Sequence, residues 1–90
     1  MPRVNLMRER VDPEEVREVE AQIVNLCGAL TINLEQMKQV IGLKSRERVI
    51  KWIVANDLKA VDVNGRNQWL ARDVARALVA SKHDVTEYRR

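Results

Sequence analysis

Six side chains within one eight-residue stretch carry the most distinctive chemistry of this chain: Lys44, Ser45, Arg46, Glu47, Arg48 and Lys51. Two more, Arg66 and Asn67, follow an Asn64-Gly65 pair. A guanidinium can grip guanine O6 and N7 together, so Arg48 is the candidate for reading a base directly. Lys44, Arg46, Lys51 and Arg66 suit phosphate, a contact that positions a protein without reading sequence. Lys59 fits either phosphate or plain surface. A run of charges on a helix is most often only a solvated face. Here it coincides with a glycine turn, a serine cap and a following hairpin, and that coincidence favours nucleic acid.

Other chemistries find little support. Cys27 is the single cysteine and His83 the single histidine, so an intrachain disulfide is excluded and a metal site is not expected. There is no nucleophile beside a base, no paired carboxylates in an apolar setting and no glycine-rich phosphate loop. The reading is therefore no enzyme, no cofactor and no metal. No apolar run approaches the length of a membrane span, and residues 1–10 lack a signal-peptide pattern, which points to a cytoplasmic protein.

Ninety residues, 46% hydrophobic and 32% charged, make one small folded domain with an aliphatic core. The net charge of +3 is too small to indicate nucleic-acid binding. Its distribution says more. Residues 12–20 hold five acids and one arginine, whereas residues 43–66 hold six cations, including Lys44, Arg48 and Arg66, and three acids. The positive field therefore gathers on the segment with the candidate side chains.

The elements that must position them follow from caps and periodicity. Residues 1–11 read as a flexible basic arm. Asp12 as N-cap, Pro13 at the first position and Glu15 closing a box start a helix, with Val11 and Val16 as a hydrophobic staple. Val16, Val19, Ile23, Leu26, Cys27 and Leu30 recur at three- and four-residue steps and predict one buried stripe, with Gly28 as the stop. That stripe either packs on the domain core or pairs with a second copy to make a homodimer. Asn33 caps a second helix with Gln36 closing a box; Leu34, Met37, Val40 and Ile41 face inward, and Gly42 ends it. Only Gly42, Leu43 and Lys44 precede the next cap, Ser45, which predicts the sharp crossing of a helix-turn-helix.

The third helix is predicted over residues 46–56, with Val49, Trp52 and Ile53 in the core. Lys44, Glu47, Arg48 and Lys51 take the opposite side, with Val54 and Ala55 nearer the far end, and Arg46 the edge of the first turn. Residues 60–70 read as a hairpin turning at Asn64-Gly65. A two-residue loop would pair Val63 with Arg66 and put Val61 and Trp69 on opposite faces. A three-residue loop would bring them to one face, and that register is preferred. Both place Arg66 and Asn67 at the tip. A last helix near residues 71–80 buries Val74, Ala77 and Leu78 but lacks a good N-cap. Residues 82–90 read as a basic tail. Trp52, Trp69 and Cys27 are expected in the core rather than as stacking platforms or a reactive thiol.

Residues 34–53, LEQMKQVIGLKSRERVIKWI, with residues 63–74, VNGRNQWLARDV, resemble the excisionase and MerR-like winged-helix families of phages and mobile elements. The resemblance covers about half the chain. It implies a mainly α fold with a small β-hairpin wing, a winged helix-turn-helix over residues 31–81; the extra N-terminal helix over residues 12–30 is no part of the family's minimal module. It also implies binding of double-stranded DNA, with Lys44, Ser45, Arg46, Glu47, Arg48 and Lys51 at the major groove and Arg66 and Asn67 on flanking backbone. The role implied is excision or transcription regulation, with a recombinase or the transcription machinery as protein partner. Glu47 stands where the family often has arginine, and could instead accept a hydrogen bond from cytosine. The alternative is a protein–protein adaptor or inhibitor that keeps the fold without binding DNA.

Overall fold

The computed structural model describes residues 11–81. The predicted arm over residues 1–11, apart from Val11, and the tail over residues 82–90, with His83, lie outside the described residues. Within them the chain is mainly helical, with a small three-stranded antiparallel sheet. In chain order these are α1 (Pro13–Cys27), β1 (Thr31–Ile32), α2 (Leu34–Ile41), α3 (Arg46–Ala55), β2 (Val61–Val63), β3 (Arg66–Leu70) and α4 (Ala71–Ala80).

The helix starts follow their local signals. Asp12 accepts a hydrogen bond from the Glu14 N–H at 3.0 Å, Pro13 follows it, and Gly28 stops α1 at φ 77°. The box of α2 is complete: the Asn33 carboxamide accepts from the Gln36 N–H at 2.8 Å, and the Gln36 side chain accepts from the Asn33 N–H at 2.9 Å. Ile32 and Met37, on either side of that cap, are both fully buried. Each such cap is worth about 1 kcal/mol, enough to fix where a short helix begins.

The apolar stripe of α1 lies against α4, burying Val16 and Ile23 beside Ala71, Val74, Ala75 and Val79. Core packing, one of the two outcomes open for that helix, is thus realised by most of the stripe. Leu26 and Leu30 are not buried as expected: they stand 62% and 66% exposed. Leu26 sits roughly 80° from the centre of the stripe by helical phase. Leu30 lies past the glycine cap, where three- and four-residue spacing no longer describes direction.

The hairpin corrects the preferred register. Val63 pairs with Arg66 and Val61 with Gln68, leaving a two-residue loop. Asn64 and Gly65 both take positive φ, 54° and 77°, the type I′ geometry whose twist suits antiparallel strands. The longer loop was preferred in order to give Trp69 an apolar partner in Val61. Its partner is instead Ile32 on β1, a strand two residues long that the sequence did not reveal. With β3 central between β1 and β2, Ile32 and Trp69 share the inward face, while Val61, Gln68 and Leu70 share the other. On that outer face the Thr31 hydroxyl and the Gln68 carboxamide are 2.7 Å apart.

α4 begins at Ala71 with no side-chain cap. Its first N–H donates to the Leu30 carbonyl at 2.8 Å, a partner 41 positions away that no local pattern could indicate. No described helix is long and apolar enough to cross a membrane.

Candidate nucleic-acid interface

The site is built on α3. Gly42 closes α2 in the left-handed conformation at φ 84°, and Leu43 packs against the core. Ser45 then caps α3, its hydroxyl accepting from the Arg48 N–H at 3.4 Å. Val49 is fully buried and Ile53 nearly so, which fixes the rotation of the helix. The azimuth opposite those two belongs to Lys51. At 100° per residue, Glu47 and Val54 lie roughly 40–60° to one side of Lys51 and Arg48 roughly 60° to the other. Arg46 falls on the flank beyond Ile50, well round from Arg48. Lys44 precedes the cap and therefore extends from the turn rather than from the helix face.

Lys44, Arg46, Glu47, Arg48 and Lys51 are all exposed, and Ser45 is half-buried. Glu47 and Lys51 stand one turn apart at 3.9 Å, a long and solvated pair. Such pairs add only a few tenths of a kcal/mol to a helix. Lys59 approaches Asp57 at 3.5 Å, also at the surface. Among the described residues no carboxylate pairs with Lys44, Arg46, Arg48 or Arg66, so four cations are left to solvent or to an external anion.

The second part of the expected site is divided. Arg66 follows the turn directly and is exposed, as is Asn67. Their cross-strand partners are Val63 and Asp62, so the two side chains leave the hairpin on opposite faces. They cannot act as one contact on the same surface, and Arg66 is the one that adds a cation. Val54 stands on the outward side of α3 as its phase predicts, 72% exposed, and Ile50, which the sequence reading did not place, joins it on the flank at 43% exposed. The rotation fixed by Val49 and Ile53 sets both positions.

Trp52 and Trp69 are half-buried and packed against the core cluster, as is Cys27. Burial raises the Cys27 pKa above that of a free thiol, which disfavours the nucleophilic thiolate. No group of three His, Cys, Asp or Glu side chains among the described residues is placed to hold a metal ion. Compared with known protein families, curated proteins and solved structures, the chain matches none.

Proposed function

We propose that this chain is a winged helix-turn-helix protein that binds double-stranded DNA, with α3 in the major groove and the β2–β3 hairpin as the wing. The observation that carries this reading is the basic, solvent-facing first half of α3. It follows a glycine-started turn and stands on a hydrophobic underside of Val49 and Ile53. The order of elements supports it as well: α2 and α3 joined by a short turn, then a hairpin whose second strand is held by β1.

In this arrangement Arg48 reads a guanine edge, and Lys44, Arg46 and Arg66 neutralise phosphates. Glu47 accepts from a cytosine amino group, which requires it to leave Lys51. Because that pair is long and exposed, the exchange costs little. An excisionase or a small transcription regulator of a phage or mobile element would use such a module, with a recombinase or the transcription machinery beside it.

A second reading is a protein-interaction module without DNA. It is favoured by Leu26 and Leu30, which α4 leaves uncovered at 62% and 66% exposed. A second copy of the chain could also dock there. Selection from random duplexes with purified protein separates the two. Enrichment of one short motif is the expected result, and recovery of unselected sequence after several rounds contradicts the first reading.

A further inference from the structure

We propose that Val54, with Ile50 beside it, reads the 5-methyl group of thymine, so that the target carries an A·T pair two or three steps from the pair read by Arg48. This rests on the DNA-binding reading and extends it to a residue that contributes no charge or hydrogen bond. Val54 is 72% exposed and Ile50 43% exposed, four positions apart on the same side of α3. Together with Glu47 and Lys51 they fill one contiguous strip, since these positions are three or four residues apart.

On the edge of a major groove the thymine methyl is the one protruding apolar group; the cytosine C5–H is small and flat, and the rest are donors and acceptors. An apolar side chain on a helix lying in that groove therefore gains most against this methyl and loses most where it dehydrates a donor or acceptor without compensation. Phase places Val54 on one flank of Lys51 and Arg48 on the other, each roughly 60° away. A helix seated along Lys51 thus turns a guanidinium toward one wall and an isopropyl group toward the other. Val54 follows Arg48 by about 9 Å along the helix axis, between two and three base-pair steps. The methyl contact accordingly falls two or three pairs from the pair read by Arg48.

The test uses the full-length protein and the duplex recovered by selection, with each thymine replaced singly by deoxyuridine. This removes the methyl and keeps every hydrogen-bonding group. One or two replacements should weaken binding about three- to fivefold, the amount expected for one buried methyl. In Val54→Ala the same replacements should have little effect, because the partner of the methyl is gone. At a site so exposed this substitution leaves the fold intact, which circular dichroism checks. Two results overturn the inference while leaving DNA binding in place: equal affinity for every uracil-substituted duplex, or a loss that persists in Val54→Ala. Failure to bind any duplex at low salt removes the parent reading and this one together.

Discussion

Arg48→Ala should weaken binding to the selected duplex about 5- to 150-fold and erase the preference for guanine at one position. That range corresponds to about 1–3 kcal/mol for a bidentate contact to a base. The substitution is well suited to the purpose. The cap of α3 uses the backbone N–H of Arg48, not its side chain, so the Ser45 hydroxyl keeps its donor. Alanine is also the best helix former, and position 48 is exposed. Loss of affinity with unchanged thermal stability is therefore attributable to the interface. Arg66→Ala provides the contrast. As a phosphate contact on the wing, it should weaken all duplexes by a similar factor and leave the selected motif unchanged. Quantitative competition between the selected duplex and its guanine-substituted variants measures both. An Arg48→Ala protein with unaltered base preference would remove Arg48 from the reading.

Met37→Ala should destabilise the domain by about 2–5 kcal/mol. Met37 is fully buried on α2 and stands beside Ile32 across the Asn33 cap, within the cluster that also holds Val49 and Val74. Truncation leaves a cavity where the two helices of the turn and the inner face of the sheet meet. For a domain of this size a loss of that order is a large share of the total, and it lowers Tm by roughly 10–30 °C. Met37→Leu keeps the volume and should cost less than about 1.5 kcal/mol. Thermal unfolding followed by circular dichroism distinguishes them. Equal Tm values for the alanine variant and the wild type would show that α2 does not anchor the domain as described. The prediction links packing to function, because the same contacts set the rotation that turns Lys51 and Arg48 outward.

The parts of the fold that were legible in the sequence are those fixed by local chemistry. Asp12-Pro13, the Asn33–Gln36 box, Gly28 and Gly42 each act within a few residues, and the elements begin and end where they direct. What was not legible depends on distant partners. Thr31–Ile32 is too short to alternate and becomes a strand only because β3 lies beside it. The start of α4 is held by a carbonyl from the loop before β1. The hairpin register follows from the same omission, since without β1 the inward Trp69 had no partner and a longer loop was needed to supply one.

The candidate site divides in the same way. The succession from Lys44 to Lys51 could be read directly from the chain, because a glycine turn, a cap and a helical period determine it. The outward position of Val54 follows from the same period, but the exposure of Ile50 does not, since its phase falls between the core side and the outward side and what packs there decides it. Nor could the separation of Arg66 from Asn67 be used until the strand pairing was known. Adjacent residues on a strand diverge, and only the register says which of them remains with the inward face.

Cations that meet phosphate release counterions on binding, so the affinity for duplex must depend on salt. Neutralising four or five phosphates through Lys44, Arg46, Arg66 and their neighbours predicts a slope of about −4 in log affinity against log salt concentration. A slope near zero, or duplex affinity that never rises as salt is lowered, would contradict it.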